Sequence, residues 1–309
     1  MAEQLYQRDL YGQALVELGK INKDVVVFDA DLSSSTRTGM FAKQFPDRFF
    51  NFGVAEQNMM AASSGMSSCG KTVFVSTFAI FASGRAWDQV RNSIAYNNSN
   101  VKIVASHAGI TVGPDGASHQ ALEDIAIMRV LPNMHIIVPC DGPQTREAIL
   151  VAADTKGPFY IRLGRAKFKT IENKGKFEFG KAQILKEGSD VAIIACGVMV
   201  EIALIAAEAL LQRKIKARVI NIHTLKPIDK QAVIDAARQT KGIVVCEEHS
   251  VIGGLASSVD EVAAENYPTK VLRIGVKNRF GQSGDPAELL KEYNLTSSDI
   301  EKAALSVVS

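Results

Sequence analysis

Apolar residues along this chain alternate between two spacings. Short continuous runs, such as Val25-Val26-Val27-Phe28 and Val101-Lys102-Ile103-Val104-Ala105, are separated by longer stretches where apolar positions recur every three or four residues. A continuous apolar run a few residues long predicts a strand buried on both faces, and a three-to-four spacing predicts an amphipathic helix. In the first half the runs predict strands over 25–28, 49–54, 72–76, 101–105, 135–139 and 159–163. Helices are predicted over 4–19, from Glu56 to the stop at Gly70, and over 121–130 and 144–154. The second half predicts strands over 191–195, 217–222, 243–246 and 270–274, with helices over 200–212, 230–239, 255–265 and 286–293. Strands alternating with helices through short connections imply parallel sheets covered on both sides. The polar stretch 167–176 suits a linker, so the chain divides into an α/β/α domain over 1–170 and a smaller α/β/α domain over 177–309.

Parallel sheets of this kind receive ligands outside the carboxyl ends of their strands. Asp31, Glu56, Phe78, His107 and Arg165 each follow a predicted strand and can gather on one rim although they are far apart in sequence. Phe78 and Phe81 share a face if a helix begins there, because they are three positions apart. Two rings at one strand–helix junction and Glu56 at another can clasp a flat heterocycle, the rings stacking on it and the acid meeting its edge. A plainer reading also stands: Glu56 favours a helix N-terminus by ~0.3–1 kcal/mol, and the two phenylalanines belong to the core. Ser33 to Thr36, after Asp29 and Asp31, read as a helix cap. The loop bearing His107, Asp115 and His119 is rich in turn residues and follows a buried strand, a place where α/β proteins carry binding groups. Zinc is a weaker reading there, because the ligands are spread too widely. His135 and His223 lie in apolar runs as core histidines, whereas His249 suits a surface or interface. Gly253-Gly254 suits close helix packing.

Composition narrows the classes. The 309 residues are 47% hydrophobic and 22% charged, as in a globular protein large enough for two domains. A net charge of +2, with no block of Lys or Arg, argues against a nucleic-acid surface. No apolar run approaches the ~20 residues of a membrane span. The opening MAEQLYQRDLYGQ lacks the apolar core of a leader. Cys69, Cys140, Cys196 and Cys246 are widely spaced, which suits small buried hydrophobes in a reducing, cytoplasmic setting.

Several segments, in order, carry a resemblance: NFGVAEQNM, STFAIF, GPDGASHQALED followed by LPNM, EEHSVIGG and FGQSGDPAELL. Together they resemble the thiamine-diphosphate enzymes of the transketolase family, specifically the C-terminal half, and the likeness covers nearly the whole chain. It implies a pyrimidine-binding domain followed by a transketolase C-terminal-like domain. It further implies that Glu56 activates the cofactor through the pyrimidine nitrogen, that Phe78 and Phe81 hold the pyrimidine, and that Asp31 lies near that pocket. A carboxyl desolvated beside stacked rings is then expected to hold its proton more readily. His107 and His119 correspond to active-site histidines, Asp115 to a group reading a substrate hydroxyl, and Arg8, Ser35 and Arg165 to the sugar-phosphate site. Gly84 stands where the family often has a third aromatic, with Trp87 as a replacement. The GDG segment that binds Mg²⁺ and the diphosphate in this family is missing, Gly284-Asp285-Pro286 being in the wrong context. The resemblance therefore implies one subunit of a split transketolase, inactive alone. Its partner, an N-terminal subunit holding Mg²⁺, would complete an α2β2 assembly that moves a two-carbon ketol unit between sugar phosphates in the pentose phosphate pathway. A 2-oxoacid dehydrogenase beta subunit, a 1-deoxyxylulose-5-phosphate synthase-like half and a non-catalytic module are the alternatives.

Overall fold

The computed structural model describes residues 4–172 and 174–309. After β1 (Gln4–Tyr6) come β2 (Val25–Asp29), β3 (Phe49–Asn51), β4 (Thr72–Phe78), β5 (Val101–Ser106), β6 (His135–Ile137) and β7 (Phe159–Arg162). These last six pair in parallel in the order β6-β7-β5-β4-β2-β3. Alternate residues of each strand enter opposite faces: Val26 and Phe28 join one apolar cluster, Val25 and Val27 another. On the second face lie helix Gln7–Ile21 and helix Gly142–Asp154, contributing Tyr11, Leu15, Leu18, Ala148 and Ile149. On the first lies helix Glu56–Ser68, whose Met59 and Met60 are fully buried.

The chain continues through β8 (Lys167–Lys169), β9 (Gln183–Lys186), β10 (Val191–Ala195), β11 (Ala217–Asn221), β12 (Thr224–Lys226), β13 (Ile243–Ser250) and β14 (Val271–Val276). The second sheet runs β14-β13-β10-β11-β9, parallel except for β9. β12 leaves this domain and pairs antiparallel with β6, so the first sheet has seven strands. Leu255, Val259 and Ile194 of the second domain share one apolar cluster with Ile94 and Ile136 of the first. Burying that much common apolar surface favours one fixed arrangement of the domains.

Both predicted α/β/α layers are present, and the differences are local. The run 49–54 forms only the three-residue edge strand β3; with a neighbour on one side alone, Phe50 and Val54 stay exposed, Val54 at 74%. The expected linker is tied down instead. β8 pairs antiparallel with β1, opposing Lys167 to Tyr6, and Asp141 Oδ2 accepts from Ile171 N at 2.9 Å and Lys174 Nζ at 2.7 Å. Its polar residues serve pairing, which composition alone does not separate from solvation; residue 173 lies outside the described residues. Cys69 is exposed, unlike the other three cysteines, because it follows the last turn of its helix. A terminal helix, Ser297–Val308, begins at a capping box of Thr296 and Asp299.

His249 is buried rather than superficial: it sits within the seam between domains, Nδ1 2.7 Å from the Ser250 carbonyl. Glu247 explains Gly254. Its carboxylate accepts from Leu255 N at 2.7 Å and Ala256 N at 2.9 Å, and a Cβ at Gly254 would lie inside it. Gly254 therefore admits a capping carboxylate to the N-terminus of helix Leu255–Asn266, whereas Gly253 serves the expected close packing, since a Cβ there would lie 2.6 Å from the Ala126 Cβ on helix Asp124–Arg129. His223 is buried with Nδ1 2.9 Å from Thr224 Oγ1, but Nε2 has no partner, so it is only half satisfied.

Candidate functional site

β4 ends at Phe78 and the chain coils directly into the π-helical turn Phe81–Arg85. Phe78 and Phe81 lie with centroids 6.0 Å apart and planes at 18°. His107 follows β5 in left-handed backbone, φ 58°, which points its ring back to stack on Phe78 at 3.9 Å. His119 meets Phe81 edge-on at 5.4 Å. Residues from two loops thus build one aromatic wall.

Glu56 opens its helix with the side chain 1% exposed. Its Oε2 accepts from Arg85 Nη1 at 2.9 Å, and the Arg85 guanidinium lies 4.8 Å above the Phe81 ring. This is the geometry anticipated for a flat ligand: a planar group bearing N–H donors rests on a phenyl face and meets the carboxylate with its edge. A side chain of the protein fills that role here, and Arg85 is a partner the sequence reading did not include. Next to it, a Cβ at Gly84 would meet nothing within 4 Å, so the third clamp position is open. Trp87 does not replace it; its Nε1 donates to the Ile127 carbonyl at 3.0 Å and its ring packs on the core.

A second group of residues forms a basic cleft of about 280 Å³ lined by Tyr6, Arg8, Thr111, Arg165 and Lys167, among others. Arg8 Nη1 donates to the Ser35 carbonyl at 3.4 Å; Arg165 Nη1 donates to the Val112 carbonyl at 2.7 Å, with Nη2 3.9 Å from Asp115. Arg8, Ser35, Asp115 and Arg165 therefore share one neighbourhood. Arg8 Nε is buried without a partner. Lys167 falls in the stretch expected to be a linker and Tyr6 in the expected opening helix, but residues 4–6 form β1 and the helix starts at Gln7. The β1–β8 pairing puts Lys167 and Tyr6 opposite each other, and both Arg8 and Lys167 lie over the Tyr6 ring, at 4.8 and 5.2 Å. The stretch YQR near one end and RAK at the other was the available signal.

Asp31 stands apart. It is exposed in left-handed backbone, φ 64°, and its Oδ1 accepts from Asn51 Nδ2 at 2.8 Å. The buried carboxylate at this strand end is Asp29, held by the hydroxyls of Thr36 at 2.7 Å and Thr38 at 2.8 Å, with its carboxyl pushed up by burial.

Burial drives His107 down to about 3, with Arg8, Arg165 and His119 adding in the same direction. The ring is therefore a neutral donor–acceptor at working pH and not a cation. An unfolded histidine, near 6.5, binds a proton that folded His107 refuses between those two values. Stability is full above about 6.5 and declines as pH falls toward 3. A histidine carbon NMR titration of the free chain is expected to show His107 neutral down to about pH 4; an imidazolium signal at pH 6 would contradict this.

Two family descriptions match the chain: "Transketolase, pyrimidine binding domain" over residues 3–170 and "Transketolase, C-terminal domain" over 180–300. A "Putative transketolase C-terminal section" of Methanocaldococcus jannaschii is 51% identical, over 94% of this chain and 93% of its own length. The "6-deoxy-6-sulfo-D-fructose transketolase subunit SqwH" of Clostridium sp. is 41% identical over 99% and 95%. Human transketolase is 37% identical over all of this chain but 50% of its own length. A solved structure described as "Split gene transketolase, inactive beta4 tetramer" superposes with a TM-score of 0.92 at 50% identity, covering 98% of both chains.

Proposed function

This chain belongs to the transketolase family, and we propose that it is the cofactor-activating subunit of a split transketolase working on phosphorylated sugars. The observation that carries the reading is the clasp of Arg85 between Glu56 and Phe81, because it displays a site shaped for a planar, N–H-bearing ring. The residues present fit the pyrimidine of thiamine diphosphate: a buried carboxylate for a ring nitrogen, a phenyl face for the ring, and open space at Gly84. When bound, the cofactor supplies the electron sink for cleaving a ketose carbon–carbon bond. Glu56 holds a proton at the ring nitrogen, Phe78 and Phe81 orient the ring, and Arg85 gives way. His119 and neutral His107 exchange hydrogen bonds with substrate oxygens, and Asp115 accepts from a hydroxyl. The guanidiniums of Arg8 and Arg165, with Lys167, receive the terminal phosphate, for which forked donors are suited. The diphosphate and Mg²⁺ are assigned to a partner chain, since the GDG segment is missing and human transketolase is twice as long as the matched region. An α2β2 assembly and a place in the pentose phosphate pathway complete the reading.

The test is substrate discrimination by the chain assembled with its partner. Ketol transfer from a ketose phosphate to an aldose phosphate is expected, with no oxidation of 2-oxoacids; the reverse would assign the chain to the dehydrogenase class. Arg8→Ala with Arg165→Ala should lower kcat/KM for a phosphorylated donor by about 10²–10⁴-fold, two charge-assisted bonds being worth ~1.5–3 kcal/mol each. An unphosphorylated ketose should lose only a fewfold. An equal loss for both donors would remove these residues from phosphate recognition.

A further inference from the structure

The loop that bears His107, Asp115 and His119 is fastened from the other domain. β13 delivers Glu248 across the seam, 4% exposed, and its Oε1 accepts the backbone N–H of Thr111 at 2.6 Å. Thr111 is the second residue of the 3-10 turn Ile110–Asp115. An N–H bound to an ionised acceptor is a strong bond, and it caps the positive end of that turn. Immediately before the turn is Gly109, φ 84°, where a Cβ would lie inside the Glu248 carboxylate. The carboxylate and the missing side chain are therefore fitted to each other. Two residues earlier is His107, in left-handed backbone and stacked on Phe78; one residue after Thr111, the Val112 carbonyl receives Arg165.

Burying a carboxylate is costly unless it is compensated. Burial pushes the Glu248 carboxyl up, and the charge of Arg162 opposes that. Arg162 reaches the same seam: Nη2 donates to the Glu248 carbonyl at 2.9 Å and to Ala121 O at 3.1 Å, and Nε to Asp124 at 2.8 Å. The loop is thus held between two charged residues of opposite sign, one from each domain.

We propose that Glu248 is a positioning residue of the active site: through Thr111 N it sets the backbone that aims His107 at the aromatic wall, so the second domain determines the geometry of the substrate loop. Glu248 touches no reacting atom, and only its consequence for turnover rests on reading His107 and Asp115 as substrate groups.

The positioning is tested first on the free chain, labelled with ¹⁵N-threonine and ¹³C-histidine. In Glu248→Ala the Thr111 amide should exchange at least about tenfold faster, the loss expected of one charge-assisted bond. The His107 ring signal should move toward that of an unstacked imidazole. Glu248→Gln keeps the volume and one acceptor, so it should shift both signals in the same direction by less, and it decides the matter if the alanine variant does not fold. Wild-type Thr111 protection and an unchanged His107 signal in a folded variant would overturn the proposal. In the assembled enzyme, Glu248→Ala should raise the KM for the ketose phosphate about tenfold while leaving the half-saturating thiamine diphosphate concentration unchanged. A merely structural role would instead reduce the folded fraction at constant KM, which would also overturn it. Gly109→Ala should do more harm beside Glu248 than in the Glu248→Ala background, as expected for groups in contact; additive effects count against the proposal. If wild-type enzyme transfers no ketol unit, the functional reading falls and the NMR comparison still judges the positioning.

Discussion

The Glu56→Gln enzyme, assembled with its partner chain, is expected to turn over about 10²–10⁴-fold more slowly than wild type, the span of a positioned acid–base group. The substitution changes neither size nor shape at a side chain that is 1% exposed, so packing around Met59 and Met60 is preserved. An amide cannot hold and return a proton at a ring nitrogen. It also keeps only one acceptor oxygen and loses the charge that meets Arg85 or the ring that displaces it. The stability cost should be small, since Arg85 is half exposed and water can solvate it. Turnover measured against an unchanged circular dichroism melt separates the two effects. Activity of the Glu56→Gln variant within a fewfold of wild type would remove Glu56 from the chemistry.

The gathering of the site residues on one rim was legible because they lie at strand ends or a few residues beyond them. In a parallel sheet the strand ends define the rim, so the positions of Glu56, Phe78, His107 and Arg165 along the chain were nearly enough to gather them. Asp31 shows the limit. It and Asp29 are two residues apart, and only the structure tells which one the strand turns inward. Arg85 was invisible for another reason: pairing it with Glu56 requires the π-helical turn, which changes the direction of side chains relative to a regular helix. Lys167 was lost because a charged segment that pairs as a strand has the composition of one that does not. Glu248 and Gly109 are 139 positions apart, so nothing in their local patterns connects them.

Dependence on a second chain carries the other large expected effect. On the proposed reading, Glu56 and the two phenylalanines engage only the aromatic head of thiamine diphosphate. A diphosphate needs a hard cation held by oxygen ligands, which the proposed reading assigns to the partner chain. Without that half, the binding energy of the charged end is forfeited, and the reacting groups are not held together. The effect on rate should exceed that of any single substitution. Subunit dissociation should behave likewise, with activity falling on dilution as the pair separates.

The decisive measurement is ketol transfer between sugar phosphates, with thiamine diphosphate and Mg²⁺ in excess, by this chain alone and after titration with a chain carrying the GDG segment. No product is expected from this chain by itself, and turnover should rise with added partner until the two are equimolar. Product formed by the isolated chain would contradict the division of the cofactor between two polypeptides.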